Sequence, residues 1–364
     1  MTDNSIAFAA HGLPVLIGSL PLASHEKALD LILAATPEIP LWPQLPSNPS
    51  ERMLPQFAEG IPCIREENAG SQNEKIFFDI SYNGFEEAML AFYEEYLVAS
   101  ESPDLLINSP FTTSRDRAAG LYLLADKLDG QPGIKAVKGQ VTGPFTMLTG
   151  IKDQEGRAGY FDDTIRDMVI KGIAMKAAWQ ASLLKNTNHP VLLFIDEPAL
   201  AGLGSSAFIG VSPDEIREMV NEVAGAIHMV GGLAGIHVCA NTDWGVLLES
   251  EIDILSFDAY GFFDRIAPLT EQVSAFLDRG GIIAWGGVPT SKAEDIEAES
   301  TETLTELWKN QADALTGNNR SKADILRQTL ITPSCGTGSL TQDQAQKVLN
   351  LTSSVSKALR AEFL

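Results

Sequence analysis

The sequence predicts an α/β fold, a (β/α)8 TIM barrel with a long proline-rich insertion after the first strand-helix unit. Short apolar runs alternate along the chain with longer amphipathic segments, which is typical of a parallel sheet with helices between its strands. Eight such runs can be counted in the sequence, and eight is the number of strands that closes a barrel of this kind. No internal repeat or linker-like segment divides the chain, so residues 1–364 are predicted to form a single domain.

The elements follow from these apolar runs in chain order. The predicted strands are 15–17, 76–78, 134–137, 191–195, 235–238, 252–255, 282–285 and 329–331. Amphipathic segments predict helices at 25–35, 85–98, 163–184, 213–230, 268–278 and 342–363. Segment 37–73 carries too many prolines for a helix and is predicted to be a long loop or lid. Trp42, within this segment, is expected either to cover a bound planar cofactor or to pack the loop against itself.

Composition restricts the partners. The 364 residues are 45% hydrophobic, which is typical of a globular protein with a large core. The 48 acidic side chains outnumber the 26 basic ones and give a net charge of −22. Such a charge repels phosphate backbones and anionic lipids, so we expect no nucleic acid and no membrane as partner.

The N-terminal sequence and the cysteines indicate the compartment. No Lys or Arg precedes Lys27, and no apolar run approaches the length of a membrane span, so neither a signal peptide nor a transmembrane helix is expected. The three cysteines are widely spaced and odd in number, which favours a reducing environment. The predicted location is the cytoplasm.

Three residues predict a metal site. His237 and Cys239 stand two positions apart at the end of an apolar run, where a strand would turn both to one side. A buried histidine beside a small buried thiol would give the same pattern. Cys335 directly follows the last predicted strand, and the carboxyl ends of all barrel strands meet at one mouth. One imidazole and two thiolates suit zinc.

Acidic residues stand at two other strand ends. Asp258 ends the strand between His237 and Cys335 in sequence; it is a candidate fourth metal ligand or else a solvated loop carboxylate. Asp196 and Glu197 follow the most apolar strand, where acids can bind an ammonium group or orient metal ligands. The alternative for this pair is capping of a helix N-terminus.

A set of short motifs, taken in order, resembles a known family. They are Gly-Ser-Leu-Pro at 18–21, Val-Lys-Gly-Gln-Val-Thr-Gly-Pro at 137–144, Ile-Asp-Glu-Pro-Ala-Leu at 195–200, His-Val-Cys at 237–239 and Pro-Ser-Cys-Gly at 333–336. The chain, from about residue 16 onwards, is similar to the catalytic half of cobalamin-independent methionine synthase. That family belongs to a superfamily that also includes uroporphyrinogen decarboxylase and zinc-dependent methylcorrinoid:coenzyme M methyltransferases.

The resemblance implies a zinc-dependent methyltransferase acting on a small-molecule thiol. Zinc would be held by His237, Cys239 and Cys335, with Asp258 in the place of the family's glutamate ligand. Ser19 and Asp196 would hold the amino acid part of homocysteine, and Asp196 and Glu197 would serve as catalytic groups. The methyl donor would be a folate or a corrinoid, the latter free or carried by a partner corrinoid protein, and the product would be methionine.

Two departures from the family pattern leave alternatives open. The family's His-Gly-Glu segment, whose glutamate binds the homocysteine amine, has no counterpart between Ile61 and Asp79. The loop that carries the family's folate-protonating histidine reads Gly-Gly-Val-Pro-Thr at 286–290. A methyltransferase from methylcorrinoid to another thiol, or a non-catalytic barrel that binds zinc and a corrinoid protein, therefore stay open. A decarboxylase needs an arginine-rich site, whereas the first arginine here is Arg52.

Overall fold

A computed structural model describes residues 8–128, 131–203, 208–316 and 320–364. The strands in this part of the chain are β1 (Ile64–Glu67), β2 (Lys75–Phe78), β3 (Val137–Thr142), β4 (Lys152–Asp153), β5 (Val191–Asp196), β6 (Leu233–Val238), β7 (Ile254–Phe257), β8 (Ile282–Val288) and β9 (Thr329–Pro333). The α-helices are α1 (His25–Ala35), α2 (Met53–Ala58), α3 (Phe85–Glu101), α4 (Ala119–Leu128), α5 (Pro144–Gly150), α6 (Asp163–Lys185), α7 (Pro213–Met229), α8 (Trp244–Leu248), α9 (Ala259–Ile266), α10 (Thr270–Asp278), α11 (Ala293–Ala298), α12 (Thr301–Leu315), α13 (Lys322–Arg327) and α14 (Gln342–Phe363).

Six strands form one curled parallel sheet in the order β3-β5-β6-β7-β8-β9. Nearly every residue of these strands is buried. This burial is typical of parallel strands, because the helices that connect them pack against the sheet and cover it. The predicted α/β class with a parallel sheet is thereby confirmed.

Extended segments continue the sheet at both edges. Near the N-terminus, Pro14 forms a parallel bridge with Ile331 of β9, and at the opposite edge Leu41 forms one with Lys138 of β3. The two segments also meet each other, through a parallel bridge between Ser19 and Gln44. Prolines in both segments lack the N–H that a continuous ladder requires, so isolated bridges take the place of regular strands.

The prediction for 76–78 was wrong about its place in the fold. This stretch is extended, within β2, but β2 pairs with β1 in antiparallel and β4 in parallel orientation, in a separate three-stranded sheet. The position beside β3 belongs to Leu41, from the proline-rich segment. That segment also contains α2 and β1, and Trp42 is fully buried with its Nε1–H donated to Gln180 of α6, 2.9 Å away. Trp42 is therefore a core residue that packs against α6.

The helices begin and end close to the predicted limits because their ends are marked in the sequence. Ser212 and Glu215 form a capping box at the start of α7, with Pro213 in the first turn, and Thr341 and Gln344 do the same for α14. In the described residues no helix combines the length and apolar character needed to cross a membrane.

The interior of the curled sheet is apolar at the amino-terminal end of its strands. Alternate residues from the amino-terminal portions of the strands pack together with residues of the two edge segments into one buried cluster, separate from the larger core beneath the helices. We call this the interior cluster: Ala10, Leu13, Val15, Ile39, Ala136, Leu192, Phe194, Ile254, Ile282, Ala284 and Leu330. Residues two positions further along each strand face the same side, towards the carboxyl-terminal end of the sheet, which we call the mouth.

Candidate metal centre

The end of β6 turns His237 and Cys239 into the interior. Their neighbours Ile236 and Val238 pack in the helix-side core, and side chains alternate along a strand. His237 Nδ1 lies 2.9 Å from Ser256 Oγ on β7. Its Nε2 is buried and has no hydrogen-bond partner among the described residues. In the tautomer that donates its Nδ1–H to Ser256, His237 offers the Nε2 lone pair to a ligand.

Cys335 reaches the same place from β9. The nitrogen of His237 and the Sγ atoms of Cys239 and Cys335 lie within 4.8 Å of one another. The structure thus brings together the three residues that the sequence singled out as metal ligands. Their spacing follows from the parallel sheet, since the carboxyl ends of its strands share one edge.

Ser19 holds the loop that carries Cys335. Its carbonyl oxygen accepts hydrogen bonds from the N–H and Oγ1 of Thr337, both at 3.0 Å, and its Oγ accepts one from the N–H of Gly338 at 3.2 Å. A Cβ on Gly336 would lie 2.2 Å from Ser19 Oγ, so only glycine allows this approach. Ser19 therefore stands beside the cysteine loop, with its side chain engaged by that loop.

The two thiols influence each other's ionisation. The neighbouring Cys335 and His237 side chains lower the pKa of Cys239 to about 4. The proximity of Cys239, together with burial, raises the pKa of Cys335 above its usual range. One thiolate is thus already favoured in the ligand set. Two cysteines and one histidine whose Nε2 is buried and has no partner in the described chain fit zinc, for which sulfur and imidazole nitrogen are ordinary ligands.

Asp196 faces the same interior. It ends β5, two residues beyond Phe194 of the interior cluster, and its backbone pairs in register with His237. Its Oδ1 is buried without a hydrogen-bond partner in the described part of the chain. Burial raises the pKa of this carboxyl, while Lys138 and His237 act to lower it. A buried carboxylate oxygen without a partner is costly, and a cationic ligand would remove that cost.

Glu197 points away from the metal group. Its Oε1 accepts a hydrogen bond from the N–H of Phe145 at 2.9 Å, and its Oε2 accepts from the N–H and Oγ1 of Thr146 at 2.8 and 2.6 Å. A Cβ on Gly143 would lie 2.1 Å from Oε1, so the glycine makes room for the carboxylate. Burial raises the pKa of Glu197 to about 7 against these hydrogen bonds. The contacts are those of a helix cap, the alternative that the sequence left open.

Asp258 caps the next helix. It precedes α9, and its Oδ1 accepts a hydrogen bond from the N–H of Gly261 at 2.7 Å. Burial raises the pKa of its carboxyl, and the Cys239 thiolate raises it further. The side chain is buried near the metal group but lies outside the set whose ligand atoms are within 4.8 Å of each other. Its role as a fourth ligand stays a prediction.

Two buried polar residues near the mouth, Lys138 and Thr332, were not predicted from the sequence to belong to the site. Lys138 of β3 is fully buried; its Nζ donates hydrogen bonds to the carbonyl of Ile17 and to Gln140 Oε1, and lies 4.5 Å from the centre of the Phe194 ring. Burial lowers the pKa of Lys138 to about 8. Thr332 of β9, two residues beyond Leu330 of the interior cluster, has a buried Oγ1 without a partner in the described chain. The only signal for either was its position in a motif or an apolar run.

Comparison with known proteins gives a similarity of fold. No family model and no curated protein matches the sequence. A solved B12-independent methionine synthase from Shewanella sp. W3-18-1, in complex with selenomethionine, shares 15% identity with a TM-score of 0.53, over 98% of this chain and 99% of that one. A GH113 β-1,4-mannanase aligns with 13% identity and a TM-score of 0.38, over 67% of this chain and 78% of that one. The first similarity supports a TIM-barrel-like α/β fold.

Proposed function

We propose that this protein is a zinc-dependent methyltransferase that moves a methyl group to a thiol, with homocysteine as acceptor and methionine as product. The observation that carries the proposal is the convergence of His237, Cys239 and Cys335 at the mouth, with His237 Nε2 buried and without a partner. The fold shared with a methionine synthase supports it. The methyl donor is a methyl-folate or a methylcorrinoid, the latter free or carried by a partner corrinoid protein.

The ligands proposed for zinc are His237, Cys239 and Cys335, and Asp258 is proposed as the fourth. Asp258 Oδ1 is engaged by Gly261, so its other oxygen is the candidate donor. When bound, zinc would keep the acceptor thiol deprotonated at neutral pH. Two protein thiolates would donate charge to the ion, which would favour transfer of an alkyl group to the acceptor sulfur over activation of water.

The chain's own side chains would orient the acceptor. Asp196 presents an unpartnered carboxylate oxygen beside His237 and suits the ammonium group of an amino acid. Ser19 lies next to the cysteine loop and is proposed to contact the same substrate. Glu197 is also proposed to contribute to catalysis. Its contacts support a positioning role, because its carboxylate fixes the turn at Gly143 and the start of α5 beside Asp196.

The proposed architecture around this site is a single domain of residues 1–364. The extended segments at Pro14 and Leu41 are proposed to stand for the two remaining strands of a (β/α)8 barrel, because each bridges one edge of the six-stranded sheet. The rest of segment 37–73, after the extended stretch at Leu41, is proposed to form a loop or lid at the mouth.

Metal content and methyl transfer test the proposal. The purified protein, dialysed against a weak chelator, should retain close to one zinc per chain by inductively coupled plasma mass spectrometry. It should methylate homocysteine with methylcobalamin or a methyl-folate as donor, measured by mass spectrometry of the product. Methylation of a different thiol would replace homocysteine as acceptor. Zinc without any thiol methylation would favour the non-catalytic binding barrel, and a metal-free protein would refute the ligand assignment.

A further inference from the structure

Helix α3 has apolar residues on two opposite sides. Phe85, Phe92 and Ala99 recur every seven residues and are buried against the rest of the molecule. At 100° per residue, Leu90 and Leu97 fall on the opposite side of the helix. They are 61% and 58% exposed. The apolar residues lie at the centre of the outward face, where a surface helix normally carries charged side chains.

The exposed apolar residues continue beyond the end of α3. Val98 is 47% exposed, and Leu105, in the 3-10 helix Pro103–Asn108 that follows, is 53% exposed. We call Leu90, Leu97, Val98 and Leu105 the α3 ridge. These four account for almost half of the large exposed apolar side chains in the described part of the chain. Single exposed leucines are common, but this concentration on one helix and the short 3-10 helix that follows it is typical of a contact surface.

The α3 ridge is flanked by unneutralised acids. Residues 76–114 contain no Lys or Arg. Glu94 and Glu101 each follow a ridge leucine by four residues, one helical turn along the same face. No ion pair in the described chain involves an acid of this segment; the acids on α3 and the turn after it are Glu86, Glu87, Glu94, Glu95, Glu101 and Asp104.

We propose that the α3 ridge docks a protein partner whose contact surface has an apolar centre and a rim of lysines and arginines. Charge complementarity selects this occupant: a second copy of the chain would bring the same acids face to face across a twofold axis, and like charges in an interface oppose binding. An anionic membrane surface is disfavoured for the same reason. The proposal does not depend on the metal site or on the proposed reaction.

A designed peptide tests the ridge in the full-length protein. The probe is a fluorescent amphipathic helical peptide with leucines along one face and lysines on both flanks, and its control replaces the lysines by glutamates. We expect the lysine peptide to bind and the glutamate peptide not to bind, measured by fluorescence anisotropy at low salt. Raising the salt concentration should weaken binding severalfold, because exposed charges are screened.

Three variants assign the binding to the ridge. Leu90→Gln with Leu97→Gln should weaken peptide binding at least tenfold, and Glu94→Gln with Glu101→Gln should weaken it severalfold and reduce its salt dependence. Ile209→Gln, at an apolar residue that is 77% exposed outside the ridge, should leave it unchanged. Circular dichroism confirms that each variant is folded. Equal binding of both peptides, or undiminished binding by the leucine variant, would overturn the proposal. So would self-association in sedimentation velocity that the leucine variant abolishes, because the occupant would then be a second copy.

Discussion

The interior of the curled sheet differs between its two ends. At the amino end, the interior cluster fills the space with apolar side chains such as Leu192, Ile254 and Leu330. At the carboxyl end, the same strand faces carry Asp196, Ser256 and Thr332, all buried. Burying polar groups costs stability unless they are paired, and Asp196, His237 and Thr332 each retain a buried atom without a partner in the described chain. The difference separates the end that stabilises the fold from the end that is organised for a ligand.

Leu192→Ala should cause the largest loss of stability. It should leave the proposed metal site at the carboxyl end unchanged. Leu192 is fully buried in the interior cluster, so we expect a loss of about 2–5 kcal/mol of stability from the lost burial and the cavity left behind. Thermal and denaturant unfolding measure the loss. The zinc content of the folded fraction should stay at the wild-type level. A stable variant that has lost its metal would contradict the separation of the two ends.

Cys335→Ser should have the complementary effect. The loss of one of three clustered ligands should weaken zinc binding by at least about a hundredfold, measured by competition with a chromogenic chelator. The unfolding temperature of the metal-free protein should hardly change, because the side chain lies at the mouth and not in the interior cluster. Cys63→Ala, which removes a buried thiol from the helix-side core, is the matched control and should bind zinc normally. Unchanged zinc affinity in Cys335→Ser would refute the ligand assignment.

The buried apolar strands and the three proposed metal ligands could be predicted from the sequence, because both follow from the alternation of side chains along parallel strands. Strand alternation and the shared edge of a parallel sheet were sufficient to bring His237 and Cys335 together. The sequence offered helix capping as one role for Glu197 but could not select it, since the cap depends on the approach of α5 to β5 in space. The buried Lys138 was missed because lysine is rarely found in an interior. Leu41 was assigned to a loop because prolines on either side of it conceal an extended edge segment.

Glu197→Gln should have a smaller effect, and one that depends on pH. The amide group of glutamine cannot accept hydrogen bonds at both ends, so one of the donors from α5 loses its partner, at a cost of about 1–3 kcal/mol. The wild-type pKa is raised to about 7, so the folded wild type binds more protons than the unfolded chain between about pH 4.5 and 7. The stability that the Glu197 side chain contributes to the wild type is therefore present at low pH and is lost as the pH rises towards 7.

The difference in stability between wild type and Glu197→Gln should accordingly narrow from pH 5 to pH 7, as measured by denaturant unfolding at several pH values. Glu215→Gln is the control. The pKa of Glu215 is lowered by its hydrogen bonds with Ser212, so the stability it contributes is already present above its unfolded pKa. The Glu215 difference should be constant over the same range. A constant difference for Glu197 as well would mean that its carboxylate stays ionised in the fold.

Thr332→Val should change the stability least. The change should be opposite in sign to that of its control, Thr329→Val. Thr332 and Thr329 are both fully buried on β9, but Thr329 Oγ1 donates a hydrogen bond to the carbonyl of Ile325 at 2.8 Å, whereas Thr332 Oγ1 has no partner in the described chain. Thr329→Val should therefore lose about 1 kcal/mol, and Thr332→Val should be neutral or gain up to about 1 kcal/mol, because it removes an unpaired buried hydroxyl. Paired unfolding curves decide between the two signs. A loss at Thr332 equal to that at Thr329 would show that the Thr332 hydroxyl stabilises the fold by itself, and the carboxyl end would then be less specialised for a ligand than its unpartnered polar atoms indicate.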